Sequence, residues 1–241
     1  MNQPKIVSRS EWLIARKQLL KIEKEATRRQ DAMSAERRNL PMVKIDKEYV
    51  FEGPNGSKKL ADLFEGQRQL IIYHFMFDPS WEEGCKSCSC FMDNSAGSLI
   101  HLAARDTAFA VISRAPFNKI EAFKARMGWT FPWFSSFQND FNYDFNVTID
   151  PEKGEYVYNF EKAKTLLEKG EIWFPKGELP GLSVFFQDSG SIYHSYSTYQ
   201  RGLDLFLNMY NFLDQTPLGR HEEDALGQSW IRHHDRYGGV D

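Results

Sequence analysis

The chain has 241 residues, of which 41% are hydrophobic and 15% aromatic, which is enough apolar material for a large packed core. A formal net charge of -3 gives no concentrated positive field, so the composition argues against nucleic-acid binding. The first residues lack the apolar core of a secretory signal, and no stretch approaches the roughly 18 uninterrupted apolar residues that cross a bilayer. We therefore expect a soluble cytoplasmic protein without a membrane partner.

The first predicted element is an amphipathic helix from Ser10 to about Arg38. Ser10 is the predicted N-cap, and Pro41 follows the point where the helix ends. Apolar residues recur on one face at spacings of three and four: Trp12, Ala15, Leu19, Ile22 and Ala26. The polar face mixes arginine with glutamate, which is typical of a solvated face with ion pairs. The apolar face fits either the chain's own domain or a second copy in a homodimer.

Two nearly unbroken apolar runs predict strands that are buried on both faces of a sheet. They are QLIIYHFMF at Gln69–Phe77 and AFAVI at Ala108–Ile112. Alternation of apolar and polar residues predicts another strand within Met42–Phe51. Further along, LSVFF and IYHSY flank the turn residues Asp188–Gly190, which indicates a hairpin.

Apolar residues at helical spacing predict helices over most of the remaining chain. The predicted helices are a short turn at Leu60–Phe64 and longer segments at Phe91–Arg105, Pro116–Met127, Glu161–Lys169 and Tyr199–Leu213. Two aromatic-rich segments, Trp129–Phe134 and Phe141–Val147, are interpreted as connections.

The order of these elements is strand, helix, strand, helix, hairpin, helix. Alternating strands and helices imply parallel crossovers, and a terminal hairpin adds antiparallel strands to the same sheet. We therefore predict an α/β protein with a thioredoxin-like fold, in which helices flank a central mixed sheet. Residues 1–40 form an N-terminal helical extension, 41–215 the thioredoxin-like domain with an insertion at 150–178, and 216–241 a C-terminal extension.

Three cysteines fall within six positions, where a secreted disulfide scaffold would distribute an even number along the chain. Cys85 and Cys88 form a CxxC motif that follows a buried strand and opens a helix. The free N–H groups and positive dipole of the helix start favour a Cys85 thiolate, and Cys88 is close enough to resolve a mixed disulfide. Lys86 adds positive charge, whereas Glu82 and the glutamate after it oppose the thiolate.

The third cysteine and the histidines allow alternative roles. Cys90 extends the motif to CxxCxC, which with His101 or His74 would offer a zinc or copper site, but a closed zinc site needs four ligands. We favour Cys90 as a small buried apolar residue, and we expect no metal. The adjacent His233 and His234 near the C-terminus are interpreted as part of a solvated tail.

Several segments carry a family resemblance. They are YHFMF, WEEGCKSCSCFMDN, HLAARDTAFAVISRAP, KIEAFKARMGWTFPWFSS, FNYDFNV, ELPGLSVFF and YSTYQRGLD. In these motifs, from about Arg37 to the C-terminal WIRHHDRYG, the chain resembles the bacterial thioredoxin-like family filed as domain of unknown function 899. The resemblance implies a thioredoxin-like fold, while the label of the family assigns no activity.

The wider thioredoxin-like superfamily implies a substrate site beside the dithiol. Its members place a cis-proline before a strand of the hairpin, and Leu179-Pro180 before LSVFF is similar to that position. With Trp81 and Lys86, these residues are the predicted substrate-binding residues. The segments AVISRAP and FNYDFNV are similar to peroxiredoxin segments, but Glu82 stands where the peroxiredoxin motif has threonine, which argues against a peroxidase.

The sequence therefore predicts a thiol-disulfide oxidoreductase that acts on a disulfide-containing protein or a small thiol without a cofactor. A thiol peroxidase that uses the same two sulfurs is the first alternative. The second is a non-catalytic thioredoxin-fold module that binds a metal, or binds a partner through its N-terminal helix and the aromatic residues Trp129, Trp133 and Phe134.

Overall fold

The computed structural model describes residues 4–170, 172, 176–222 and 227–238. The chain divides into two compact units, Met1–Met42 and Val43–Asp241. Within the described residues, no helix combines the length and the apolar character that a membrane crossing requires.

The first unit is built around helix α1 (Arg9–Arg38). Its N-cap is Ser8, so the prediction of Ser10 at that position is wrong. The reason is a capping box: Ser8 Oγ accepts from the N–H of Glu11 at 3.3 Å, and the Glu11 carboxylate accepts from the N–H of Ser8 at 2.9 Å. Ser10 has no acidic or amide residue three positions later to complete such a pair. All 30 residues of α1 are described, and none is buried.

The second unit contains the remaining elements. The strands are β1 (Val43–Lys44), β2 (Val50–Gly53), β3 (Gly56–Lys59), β4 (Gln69–His74), β5 (Thr107–Ser113), β6 (Trp133–Ser135), β7 (Thr148–Ile149), β8 (Val157–Tyr158), β9 (Glu161–Lys162), β10 (Gly177–Glu178), β11 (Gly181–Asp188) and β12 (Ser191–Tyr199). The α-helices are α2 (Lys86–Ser95), α3 (Leu99–Ala103), α4 (Phe117–Arg126), α5 (Phe141–Asp144), α6 (Ala163–Glu168) and α7 (Asn208–Leu213). Short 3₁₀ helices lie at Leu60–Phe64, Ala96–Ser98, Pro151–Lys153, Gln200–Phe206 and His234–Arg236.

Eight strands form the main sheet in the order β1-β12-β11-β4-β5-β6-β2-β3. Strand β4 is parallel to β5, and β5 is parallel to β6, whereas β11 is antiparallel to β4 and to β12. Helices α2 and α3 connect β4 to β5, and the β11–β12 hairpin lies on the other side of β4. This arrangement is the mixed sheet of a thioredoxin-like fold, as the order of the predicted elements indicated.

Both faces of the central strands are buried, which explains the unbroken apolar runs in the sequence. Tyr73 of β4 and Val111 of β5 belong to one core cluster, which also contains Cys88. The neighbouring residues Ile72 and Ile112 point into a second cluster on the opposite face.

Several predicted elements differ from the structure in extent. The strand predicted within Met42–Phe51 is divided into β1 and β2, which pair with different neighbours in the sheet. The helix predicted at Phe91–Arg105 is interrupted by the 3₁₀ turn around Gly97, a residue that disfavours continuous helix. The aromatic segment Trp129–Phe134 was interpreted as a connection, but it leads into β6, which is too short to show alternation.

Candidate redox site

The two CxxC cysteines meet at the backbone of Met76, just beyond the end of β4. The N–H of Cys85 donates to the carbonyl oxygen of Met76 at 3.0 Å, and the N–H of Met76 donates to Cys88 Sγ at 3.4 Å. Cys85 is the N-cap of α2, as predicted for the first cysteine of the motif. The strand end therefore contacts both the backbone of Cys85 and the sulfur atom of Cys88 through one residue.

The two sulfur atoms have different environments. Cys85 is partly exposed, while Cys88 has a relative exposure of 1%. A hydrogen bond from the Cys88 thiol, supported by the N–H groups of Cys88 and Ser87 and opposed by burial, lowers the pKa of Cys85 to about 7. Burial raises the pKa of Cys88, and the neighbouring Cys85 raises it further. The pair therefore holds its negative charge on the accessible sulfur.

A tyrosine that the sequence did not single out completes the surroundings of the buried sulfur. The Tyr73 hydroxyl is hydrogen-bonded to Cys88 and favours the thiolate form of that cysteine. Tyr73 is itself buried and stacks on Phe91, with ring centroids 3.9 Å apart. Within the sequence it stands in the apolar run of β4, where an aromatic residue needs no role beyond packing. The hydroxyl supplies a donor to a sulfur that solvent does not reach.

Gly84 fits between two aromatic rings directly before the first cysteine. A Cβ atom at this position would lie 2.6 Å from Phe75 Cε1 and 2.8 Å from Phe123 Cε1. Trp81 packs against the same core cluster, and its carbonyl oxygen accepts a hydrogen bond from Lys119 Nζ at 3.0 Å. The loop before the dithiol is therefore fixed by close packing and by a lysine of α4.

His233 also holds this loop, so its interpretation as part of a solvated tail is wrong. Its relative exposure is 1%, and its Nε2 lies 2.9 Å from the carbonyl oxygen of Gly84. A carbonyl oxygen only accepts, so Nε2 carries the proton. Nδ1 lies 3.3 Å from Arg126 Nη2, which only donates, so Nδ1 accepts and the imidazole is neutral. His233 and Gly84 lie far apart in the sequence, so a local pattern does not predict this contact.

Ion pairs extend the contact between the C-terminal segment and the loop. Arg126 binds Asp235 through two bonds of 2.9 and 3.0 Å and binds Glu83 at 2.6 Å. Arg236 Nη1 donates to the same Glu83 carboxylate at 3.0 Å. The sequence suggested that Glu83 opposes a thiolate at Cys85. Two guanidinium groups now offset its charge, which weakens that opposition.

The predicted proline segment lies beside the strand that leads to the cysteines. Gly181 of β11 pairs with His74, the last residue of β4, so Pro180 lies next to the strand end. The peptide bonds of the described residues are all trans, so Leu179-Pro180 differs in this respect from the cis-proline position that it resembles. The trans segment is held by Leu179, whose N–H donates to the Val147 carbonyl at 2.8 Å. Lys86 is exposed on the first turn of α2.

A buried carboxyl group precedes the proline segment and was also missed from the sequence. Glu178 is 1% exposed, and Arg114 Nη1 lies 3.0 Å from its Oε1. Its other oxygen accepts from Thr148 Oγ1 at 2.8 Å. Burial raises the pKa of Glu178 to about 7, against the opposing effect of Arg114 and the hydrogen bonds. Arg114 and Thr148 are distant from Glu178 in the chain, so the local sequence gives no sign of the pairing.

The metal-site alternative has little support in the part of the chain that the structure describes. No group of three or more histidine, cysteine, aspartate or glutamate residues there could hold a metal ion. His74 Nε2 instead lies 2.8 Å from Ser183 Oγ. Cys90 is buried with its sulfur 3.9 Å from Met209 Sδ, which confirms the prediction of a small apolar packing residue.

The order and the directions of the strands in the main sheet define a thioredoxin-like fold. The chain belongs to the family described as "Bacterial protein of unknown function (DUF899)", which matches residues 1–237. This confirms the resemblance seen in the motifs. No curated protein matches the sequence significantly.

The solved structures that are similar to this chain include peroxiredoxins. A cysteine-to-serine mutant of peroxiredoxin Q from Xylella fastidiosa is 12% identical, with a TM-score of 0.41 over 68% of this chain and 88% of that one. Peroxidoxin BcpB from Mycobacterium tuberculosis is 13% identical, with a TM-score of 0.42 over 70% and 93% of the two chains. At these identities and scores, the similarity carries no argument about activity.

Proposed function

We propose that this protein is a thiol-disulfide oxidoreductase in which Cys85 attacks and Cys88 resolves. The observation that carries the proposal is the position of the partly exposed Cys85 at the N-cap of α2, with the buried Cys88 in the first turn of the same helix. The Cys88 thiol lowers the pKa of Cys85 to about 7. An attacking thiol is most effective when its pKa is near the ambient pH, because a large fraction is then thiolate that is still a good nucleophile.

The reaction consists of two exchanges. The Cys85 thiolate attacks one sulfur of the substrate disulfide and forms a mixed disulfide with it. The substrate S–S bond breaks, and the other substrate sulfur leaves as a thiolate. Cys88 then loses its proton and attacks the Cys85 sulfur of the mixed disulfide, which releases the second substrate thiolate. The substrate gains two electrons, and the protein is left with a Cys85–Cys88 disulfide. A thiol reductant, as a second substrate, returns the protein to the dithiol form.

Other residues have distinct parts in this proposal. The Tyr73 hydroxyl donates to the Cys88 sulfur and so favours the thiolate needed for the second exchange. Trp81, Lys86 and Pro180 are proposed to contact the substrate around the partly exposed Cys85 sulfur, because they lie in the loop, the helix start and the strand entry beside it. Leu179 is buried in a core cluster, so its proposed part is to position Pro180.

The test combines an activity assay with mapping of the disulfide. Reduction of insulin by the wild-type chain is compared with Cys85→Ser, Cys88→Ser and the matched control Cys90→Ser, in which a buried cysteine outside the pair is replaced. We expect Cys85→Ser to abolish turnover, Cys88→Ser to accumulate a mixed disulfide, and Cys90→Ser to retain activity. Mass spectrometry after mild oxidation should show Cys85 linked to Cys88.

The proposal fails if Cys85 and Cys88 stay unlinked and Cys85→Ser reduces insulin at the wild-type rate. Consumption of thiols that requires peroxide, in a chain that leaves insulin disulfides intact, would instead identify a thiol peroxidase with Cys85 passing through a sulfenic acid.

A further inference from the structure

A strained aromatic residue stands at the tip of the β8–β9 hairpin. Tyr158 pairs with Glu161, which leaves Asn159 and Phe160 as a two-residue turn with φ angles of 47° and 65°. Two positive φ angles are typical of a type I′ hairpin turn, in which asparagine followed by glycine is preferred. Asparagine suits the first position, but a bulky residue at the second is an outlier. Phe160 therefore occupies a position at which the backbone conformation favours glycine.

Packing does not account for this residue. The Phe160 side chain is 75% exposed, and its contact with Tyr199 is edge-to-face at 5.7 Å between ring centroids. An exposed aromatic ring recovers little hydrophobic stabilisation on folding. Strain that packing does not offset is found preferentially at functional positions.

The hairpin lies at the edge of the sheet where the dithiol is found. Gly181 pairs with His74 at the end of β4 and with Tyr199 at the end of β12. Tyr199, whose ring contacts Phe160, therefore lies at the same edge of the sheet as the end of β4. The hydroxyl of Tyr158, in the same hairpin, donates to the carbonyl oxygen of Pro180 at 2.9 Å. The hairpin is therefore attached to the segment proposed to contact the substrate.

The charges that flank Phe160 are already paired within the chain. Glu161 binds Lys169 at 2.7 Å, and Lys162 binds Glu155 at 2.9 Å. The tip of the hairpin therefore presents an apolar ring whose charged neighbours are neutralised by ion pairs. Such a surface binds an apolar side chain better than an ionic group.

We propose that Phe160 is a specificity-determining residue that binds an apolar side chain of a polypeptide disulfide substrate. This inference rests on the proposed function and narrows its substrate class to disulfides in polypeptides with exposed apolar residues. A small disulfide such as oxidised glutathione has no apolar side chain for Phe160 to bind. Phe160 therefore acts on substrate binding and leaves the exchange chemistry unchanged.

The experiment compares two substrates, insulin and oxidised glutathione, and three variants. Phe160→Gly should raise the KM for insulin about tenfold with kcat unchanged, because the loss of an aromatic anchor at an interface commonly amounts to a factor of this size. Turnover of oxidised glutathione should stay within twofold of the wild type. Phe160→Leu, which keeps an apolar side chain, should retain most of the affinity for insulin. Phe212→Ala is the matched control, because Phe212 on α7 is 74% exposed and has no positive φ.

The same variant tests the strain directly. Phe160→Gly should raise the midpoint of urea unfolding, since glycine adopts a positive φ without steric conflict. An unchanged KM for insulin in Phe160→Gly, or an equal loss in Phe212→Ala, would overturn the inference while leaving the proposed function intact. A lower unfolding midpoint together with slower turnover of both substrates would show a purely structural role. If the wild-type chain reduces neither substrate, the proposed function and this inference fail together.

Discussion

Replacing Cys88 by alanine removes the thiol that donates a hydrogen bond to Cys85, and we expect the pKa of Cys85 to rise from about 7. A hydrogen bond to a charged group contributes about 1.5–3 kcal/mol, and about 1.4 kcal/mol corresponds to one pH unit in a pKa. The expected rise is therefore about one to two pH units. At pH 7 the thiolate fraction of Cys85 should fall from about half to between about 10% and about 1%.

The assay is the rate of alkylation by iodoacetamide as a function of pH, with mass spectrometry of the peptide that contains Cys85. A Cys90→Ser background keeps the third thiol out of the measurement. Cys88→Ser serves as the matched control, because its hydroxyl keeps a donor near the sulfur and should give a smaller rise than alanine. If both variants alkylate Cys85 with the wild-type pH profile, the N–H groups of the helix start stabilise the thiolate and our reasoning about the thiol pair is refuted.

Three further predictions concern the surroundings of the dithiol. Gly84→Ala should lower the unfolding midpoint in urea, because the added methyl group would overlap the rings of Phe75 and Phe123. His233→Ala should lower the free energy of unfolding by about 1–3 kcal/mol in the same assay, since a buried carbonyl loses its donor, and an unchanged value would contradict the assigned contact. Burial raises the pKa of Glu178 to about 7. The buried protonated carboxyl therefore makes its full contribution to the free energy of unfolding below about pH 4, and this contribution is lost as the pH rises through 7. Glu178→Gln should flatten this fall, as measured by urea unfolding between pH 5 and pH 8, and an unchanged slope would refute the buried-carboxyl assignment.

The sequence predicted those parts of the fold that depend on local pattern. Unbroken apolar runs indicated β4 and β5 because a strand covered on both faces has no polar side to display. The spacing of Cys85 and Cys88 predicted their proximity at a helix start, since two intervening residues fit one helical turn. The trans bond before Pro180 was not predictable in this way, because the choice of isomer depends on contacts with distant backbone.

The rest of the site depends on contacts between residues that are far apart in the chain. His233 and Gly84 are separated by 149 positions, and each is unremarkable in its own segment. Tyr73 was predicted as core, and its hydroxyl gains a role only because α2 places Cys88 against it. The N-cap of α1 was missed for a simpler reason, since two serines lie close together and only Ser8 has a glutamate three residues later.

The contact between the C-terminal segment and the loop before Cys85 affects when the surroundings of this cysteine are complete. A ribosome releases Gly84 and Cys85 long before it has made His233, Asp235 and Arg236. During that interval the loop has its packing against Phe75 and Phe123 and its contact with Lys119, but lacks the hydrogen bond and ion pairs of the C-terminal segment. Protein synthesis therefore completes the surroundings of Cys85 near its end, and a product truncated before His233 would lack part of the support for the loop before this cysteine.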